Sequence, residues 1–219
     1  YEKCIIDLEQ ALELLSADYI GNDRTRANKA VAQALLARLY LYSERWEEAS
    51  NAASAVLNYS STYVLESDLD LEFTKSSSST IWQLAAGGGF TNTQEGGTFI
   101  FNSGPPPSVA LREDLYVAFE VGDKRREKWT RTISSGTTTW HHSYKYKEDI
   151  SSNNATEFSV IMRLSEQYLI RSEARARQGH ISGAQEDLNE VRSRAGLDDT
   201  TAGTANELLN AIISERRFE

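Results

Sequence analysis

Residues 30–63, AVAQALLARLYLYSERWEEASNAASAVLNYSSTY, contain two helical patterns of similar length on either side of Ser43–Arg45. Apolar residues recur at steps of three and four in both halves, which is typical of amphipathic helices. The first half carries Leu35, Leu39 and Tyr42, and the second carries Trp46, Ala49, Ala53, Val56 and Leu57. Alanines on the facing sides would let the two backbones approach closely. The stretch therefore predicts a pair of antiparallel helices joined by a short turn.

The spacing is that of a tetratricopeptide repeat (TPR) hairpin, whose period is about 34 residues. A second copy lies at Ser165–Leu197, SEQYLIRSEARARQGHISGAQEDLNEVRSRAGL, when Ala184 is set opposite Ala49. It predicts helices over 165–178 and 181–195, with Gly196 suited to end the second one.

One such hairpin cannot bury its own apolar face, so we expect the two hairpins to be neighbours in space. The roughly 100 residues between them must then leave the helices and return. The predicted fold class is mainly α: TPR-like helical hairpins with a large irregular, loop-rich insertion carrying short strands. We interpret residues 1–219 as a single domain, with a helical scaffold at 1–59 and 160–219 and a loop-rich lobe at 60–159.

The two ends of the chain also have helical patterns. Residues 1–19 predict an amphipathic helix, on which we expect Cys4 to be a small buried side chain. Thr204 and Glu207 have the spacing of a capping box, and the helix they begin should reach Glu219. Neither end carries the signal that normally starts or stops a helix, so we expect a piece of a longer protein.

The lobe has a different composition, because it holds all three prolines and the Gly87–Gly89 run. Short strands are predicted at Ile81–Leu84, Thr98–Phe101 and Ser143–Lys147. A helical segment is predicted near 108–119, and the glycine run is interpreted as a flexible turn.

Charge and motifs exclude several function classes. The net charge of −9 argues against nucleic acid, which needs a concentrated basic surface. No stretch has the length and apolar character of a membrane span. There is no HExxH motif, phosphate-binding loop or dinucleotide-binding glycine motif. His141 and His142 are adjacent and would face opposite sides of a strand. We therefore expect no catalysis, no cofactor and no metal.

Aromatic residues are concentrated in the lobe: 13 of the 21 lie between Tyr59 and Tyr146. Trp82, in the apolar run IWQL, is expected in the core. Aromatics in loops on a rigid scaffold favour a binding surface, since loops carry recognition. Exposed aromatic rings stack against the C–H face of a sugar, and amide or guanidinium groups contact the sugar hydroxyls. Gln94, Asn102 and Arg112 are further candidates for such polar contacts. The alternative is that the aromatics form the lobe's own core. The predicted ligand-binding residues are Phe90, Asn92, Phe101, Trp129 and Trp140.

Ordered blocks of sequence carry a family resemblance. They are RANKAVAQALLARLYLY, IWQL, FEVGDKRREKW, YKYK, RLSEQYLIRSEARARQGHISGAQEDLNEVRSRAGL and ELLNAIISERRFE. In this order they resemble SusD/RagB-like nutrient-binding outer-membrane lipoproteins. The resemblance implies helical repeats with an irregular lobe, an oligosaccharide or other nutrient as ligand, and a SusC-like TonB-dependent transporter as partner. It also implies a cell-surface location through an N-terminal lipid anchor that this chain lacks. Members of the family are expected to be about twice as long as this chain.

Two other functions are compatible with the residues alone. A TPR-type adaptor would bind a peptide or partner in its helical groove through residues such as Asn28, Lys29 and Arg175. A glycan hydrolase would need a carboxylate pair about 5 to 10 Å apart in the lobe.

Overall fold

The computed structural model describes residues 1–87 and 89–219; Gly88, in the predicted glycine turn, lies outside the described residues. The elements are α1 (Glu2–Leu14), α2 (Lys29–Tyr42), α3 (Trp46–Leu57), β1 (Thr80–Leu84), α4 (Gln94–Phe99), α5 (Glu113–Tyr116), α6 (Lys124–Lys128), β2 (Thr130–Ser135), β3 (Thr138–Ser143), β4 (Ser159–Arg163), α7 (Leu164–Arg177), α8 (Ile181–Arg194) and α9 (Ala205–Phe218).

The two predicted hairpins are confirmed as α2–α3 and α7–α8; the bounds of α7 and α8 agree with the prediction to within one residue, while α3 ends at Leu57, before the predicted stretch ends at Tyr63. Gly179 and Gly196, both at φ +80°, take the left-handed conformation that ends α7 and α8 without a Cβ clash. Helix α3 packs against α7, so the hairpins are neighbours as expected. Their shared core holds Ile5, Leu36, Ala37, Tyr40, Leu41, Ala49, Ala53, Ile170 and Ala174.

Helix α9 covers the other side of the second hairpin. Leu208 and Ile212 are fully buried against Leu188 of α8. The predicted capping box is confirmed: the Thr204 hydroxyl accepts from Glu207 N–H, and the Glu207 carboxylate accepts from Thr204 N–H. The two orphan N–H groups at the start of α9 are thereby satisfied.

Helix α1 is shorter than predicted, ending at Leu14 rather than Tyr19. The following residues bond elsewhere: Lys29 N–H donates to the Ser16 carbonyl, and the Tyr19 hydroxyl donates to the Ile81 carbonyl. These distant contacts outweigh the helical periodicity of the segment. The prediction for Cys4 is also wrong, because its side chain is exposed.

The strands form two separate antiparallel pairs, β1 with β4 and β2 with β3. The strand predicted at Ile81–Leu84 is confirmed as β1. The strand predicted at Thr98–Phe101 is wrong, because Thr98 and Phe99 end α4. The Thr93 hydroxyl accepts from Gly96 N–H and caps that helix, a local bond that overrides the β propensity of the aromatic run.

Two further segments differ from the prediction. The strand predicted at Ser143–Lys147 is wrong beyond Ser143, where β3 ends. The helix predicted near 108–119 is reduced to the single turn of α5. Strands β2 and β4 follow no strong alternation of apolar residues, and the sequence did not indicate them.

A buried cluster of charged side chains joins the middle of the chain to α8 and α9. Arg125 pairs with Asp123, Glu215 and Glu219. Arg163 pairs with Glu72 and Glu219. Burial alone would raise the pKa of Glu219, but Arg194, Arg163 and Arg125 hold that pKa well below its usual range. The cluster fixes residues 120–163 on the helices.

The fold class is confirmed as mainly α, with short strands only. The division into a scaffold and a lobe at residues 60–159 stays a prediction.

Candidate functional site

A cleft of about 480 Å³ lies where β1 and β4 meet the segment around α4. We call it the Phe90 cleft. Its lining residues are Leu84, Ala85, Ala86, Gly87, Phe90, Asn92, Thr93, Gln94, Glu95, Thr98, Phe99, Ser159 and Ile161. Its volume is in the range of pockets that take small ligands.

The apolar surface of the cleft comes from four side chains that remain between 37% and 47% exposed, namely Leu84, Phe90, Phe99 and Ile161. An irregularity in the β1–β4 pairing helps to place one of them. Trp82 is opposite Met162 and Gln83 is opposite Val160, so the pairing skips Ile161. A bulge of this kind redirects a side chain, and Ile161 points into the cleft while Met162 is buried.

Helix α4 forms one wall and is held close to the chain at 148–150. A Cβ added at Gly96 would lie 2.2 Å from the Glu148 carbonyl oxygen, and one at Gly97 would lie 2.8 Å from Ile150. Only residues without a side chain permit this approach. The two glycines therefore set the position of the wall that carries Phe99.

The preceding loop is held by hydrogen bonds to one acceptor. The Thr91 hydroxyl and the Asn92 amide Nδ2 both donate to the Ser152 carbonyl, the latter at 3.2 Å. The Asn92 side chain is only 1% exposed, and its Oδ1 has no hydrogen-bond partner among the described residues. The loop that presents Phe90 is thus tied to the neighbouring segment.

The cleft has little charge. Glu95 contributes a carboxylate, which accepts a hydrogen bond of 2.9 Å from the Ser159 hydroxyl. Among the described residues no lysine, arginine or histidine lines it. Its other polar groups are the amides of Asn92 and Gln94 and the hydroxyls of Thr93, Thr98 and Ser159.

The structure brings together only two of the five predicted ligand-binding residues. Phe90 and Asn92 line the same cleft, with Phe90 47% exposed and Asn92 buried in the wall. Gln94, a further polar candidate, also lines it. Whether any of these residues contacts a ligand stays a prediction.

Phe101 and Trp140 lie elsewhere, on one face of the β2–β3 hairpin. Phe101, one of the predicted ligand-binding residues, is buried and packs on the His142 ring at 4.7 Å, so its ring presents no exposed face. Trp140 is half-buried against Gly104, where an added Cβ would lie 2.0 Å from the indole. His141 stacks instead on Tyr116, which confirms that the adjacent histidines face opposite sides. Among the described residues no group of three or more potential ligands could hold a metal ion.

Trp129, another predicted ligand-binding residue, lies in the core. It is 2% exposed, packs edge-on against Phe73 at 5.4 Å and donates its indole N–H to the Leu69 carbonyl at 2.9 Å. A ring in this position presents no face to a sugar. The charged run before Trp129 suggested that this ring is exposed. In the structure the Trp129 ring is buried, while the lysines and arginines of α6 point to solvent or into the ion cluster.

The sequence did not single out Leu84, Phe99 and Ile161 as site residues. Leu84 and Phe99 lie in segments predicted as short strands, and the position of Ile161 depends on an irregular strand pairing. The sequence signal that pointed to this site was Phe90, an aromatic residue directly after the glycine run.

Residues 109–219 match the model of the SusD family. This match covers just over half of the 219 residues. The chain belongs to the SusD family. A search of the curated proteins gives no match.

Solved structures of SusD-like proteins share the fold. A SusD-like carbohydrate-binding protein from Bacteroides vulgatus is 25% identical, with a TM-score of 0.78, over 98% of this chain and 47% of that one. A SusD-like protein from Bacteroides fragilis is 20% identical with a TM-score of 0.80, over 98% and 56%. A surface glycan-binding protein A from Bacteroides uniformis is 21% identical with a TM-score of 0.75, over 98% and 52%. This SusD-family chain thus spans about half the length of these proteins.

The adaptor alternative finds no support in this SusD-family structure. Asn28 caps α2 by accepting from Val31 N–H and is 2% exposed. Arg175 is paired with Asp187 at 2.9 Å and also donates to the Gly183 carbonyl. Two of the three residues nominated for a peptide groove are therefore engaged within the fold.

None of the helices in residues 1–87 and 89–219 combines the length and apolar character that a bilayer crossing needs.

Proposed function

We propose that this chain is a glycan-binding part of a cell-surface nutrient-uptake protein and that it binds oligosaccharides in the Phe90 cleft without chemistry. The observation that carries the proposal is the cleft itself, in which two exposed phenyl rings stand beside amide and hydroxyl groups. Family membership supports it, and so do the solved relatives described as carbohydrate-binding and glycan-binding.

The arrangement suits a sugar ring physically. The C–H face of a pyranose is apolar and stacks on an aromatic side chain, which offers a large rigid surface at a low entropic cost. Phe90 and Phe99 supply such surfaces, while Gln94 supplies donors and acceptors for hydroxyl groups. The hydrogen bonds from Thr91 and Asn92 to Ser152 hold the loop in place, so the entropic cost of ordering this loop on ligand binding is small.

The test is binding to a panel of polysaccharides in affinity gels. We expect the double variant Phe90→Ala/Phe99→Ala to bind about thirtyfold more weakly, since each exposed ring contributes on the order of 1 kcal/mol. Tyr42→Ala removes a more exposed aromatic ring from α2, which is not among the residues that line the cleft, and serves as the control. Unchanged retention of the double variant, or no retention of the natural chain by any polysaccharide, would overturn the proposal.

We further propose that the full protein acts at the outer membrane with a SusC-like TonB-dependent transporter, anchored through a lipidated cysteine outside this chain. Co-purification of the tagged full protein with a large outer-membrane barrel, and its removal by protease from intact cells, would test both points. Incubation with labelled oligosaccharides tests the absence of catalysis: depletion without new products is expected, and new products would contradict it.

A further inference from the structure

We propose that the Phe90 cleft selects its ligand by charge, taking neutral glycans and rejecting glycans that carry carboxylate or sulfate groups. The inference rests on the proposed glycan-binding function and adds the substrate class.

The side chains that line the cleft disfavour an anionic ligand. Of its thirteen described residues, Glu95 is acidic and none is basic. An anionic sugar that enters such a site loses water from its charge and gains no cation in return. Proteins that bind carboxylate or sulfate normally supply arginine or lysine for that purpose.

Three cations on neighbouring segments, Arg163, Lys147 and Arg24, are engaged elsewhere. Arg163, two residues beyond Ile161, pairs with Glu72 at 2.6 Å and with Glu219 at 3.2 Å. Lys147 pairs with Asp70 at 3.1 Å and donates to two carbonyl groups. Arg24 donates to the carbonyls of Thr62 and Thr80, behind β1. None of these three can turn to an anion in the cleft without breaking buried or half-buried bonds.

Further acidic residues lie close to the wall of the cleft. The wall formed by α4 rests on Glu148, whose carboxylate accepts from Ser152 and Asn154. Asp149 is adjacent in the chain, and the whole chain carries a net charge of −9. The carboxylates of Glu95, Glu148 and Asp149 thus belong to this part of the molecule, and like charges repel an anion over distances comparable to the Debye length.

The experiment compares polysaccharides matched in backbone and different in charge. The pairs are methyl-esterified and free oligogalacturonides, hydroxyethylcellulose and carboxymethylcellulose, and dextran and dextran sulfate. Binding is measured for the natural chain and for the variants Glu95→Gln and Glu95→Lys, each at low and high salt. Glu13→Lys, on the exposed face of α1, makes the same change in net charge away from the cleft and is the matched control.

We expect the neutral member of at least one pair to bind about tenfold or more tightly than its anionic partner, since juxtaposed like charges oppose association. Glu95→Lys should bring the anionic partner to within about threefold of the neutral one, and added salt should narrow the difference in the natural chain. Glu13→Lys should leave the ratio unchanged.

The outcomes separate the two proposals. If the natural chain binds the anionic and neutral members of a pair equally, or prefers the anionic one, charge selection is wrong while glycan binding stands. The same conclusion follows if Glu95→Lys and Glu13→Lys behave alike. If the natural chain binds neither member of any pair, the proposed function itself fails.

Discussion

Arg125 and Glu215 lie 90 residues apart in the chain, and their Nη1 and Oε1 atoms are 2.5 Å apart with both side chains withdrawn from solvent. This ion pair connects α6, just before β2, to the last turn of α9. Burying two charges costs several kcal/mol per ion, and only a close partner with further hydrogen bonds offsets that cost. Asp123 and Glu219 complete the arrangement around the same guanidinium.

We expect Arg125→Met to lower the free energy of unfolding by about 3–5 kcal/mol, because it leaves three carboxylates buried without their shared cation. Urea unfolding followed by circular dichroism measures the change. Arg112→Met is the control, since Arg112 forms an exposed pair with Asp114 and its removal should leave the midpoint almost unchanged. Equal midpoints for both variants would show that the buried cluster contributes nothing to stability.

Stability should rise with pH above neutrality. Burial, aided by the nearby Arg163, lowers the pKa of Lys145 to about 7. In the unfolded chain a lysine keeps a pKa of about 10.4, so between these values the unfolded state binds more protons than the folded state. The unfolding free energy then increases as the pH rises through this window. Urea titrations from pH 7 to about pH 9.5 measure it, below the range where tyrosines ionise.

Lys145→Met should remove most of that slope. Burial also lowers the pKa of Lys147, and this second lysine accounts for a smaller slope of the same sign. Lys29→Met leaves both groups in place and should retain the full pH dependence. A slope that survives in Lys145→Met would mean that the ammonium group of Lys145 is as well solvated in the folded state as in the unfolded one.

Gly96→Ala should destabilise the protein by about 1–3 kcal/mol, because the new methyl group would lie 2.2 Å from the Glu148 carbonyl oxygen and force α4 away from it. Gly203→Ala is the matched control, since no atom lies within 4 Å of its added Cβ and its φ is not positive. Thermal unfolding compares the two. Glycan retention should fall in Gly96→Ala alone, because α4 carries Phe99.

Trp129→Ala should cost about 3–5 kcal/mol of stability, as expected for removing a buried aromatic side chain. Trp129→Phe should cost less, since it keeps most of the buried volume and loses one ring of the indole together with the hydrogen bond to the Leu69 carbonyl. Denaturant midpoints of the two variants give the comparison. A Trp129→Ala variant of normal stability with impaired glycan binding would restore Trp129 as a ligand residue.

The helical part of the fold was predictable because its signals are local. The recurrence of apolar residues at steps of three and four predicted α2, α3, α7 and α8. The Thr204–Glu207 capping box predicted the start of α9. The need to bury two incomplete hairpins predicted that α3 and α7 would meet. Each of these features depends on residues within one or two helical turns, or on a face that has to be covered.

The site was less predictable because it depends on contacts between distant segments. Ile161 reaches the cleft through a bulge in a pairing between residues about 80 apart, which no local pattern encodes. Trp129 and Phe90 both lie in polar surroundings in the sequence, yet one packs beneath Phe73 and the other stays exposed. Their difference comes from tertiary packing, which overrides local composition.

The pairing of β1 with β4 has a consequence for insertions. These strands close the long excursion at its base, next to the start of α7. Once the base is closed, lengthening the chain beyond it costs little, about 0.6 kcal/mol for each doubling of a flexible loop. Insertions in exposed loops between β1 and β4 should therefore cost little folding free energy, provided that they leave intact the ion cluster that fixes residues 120–163 on the helices.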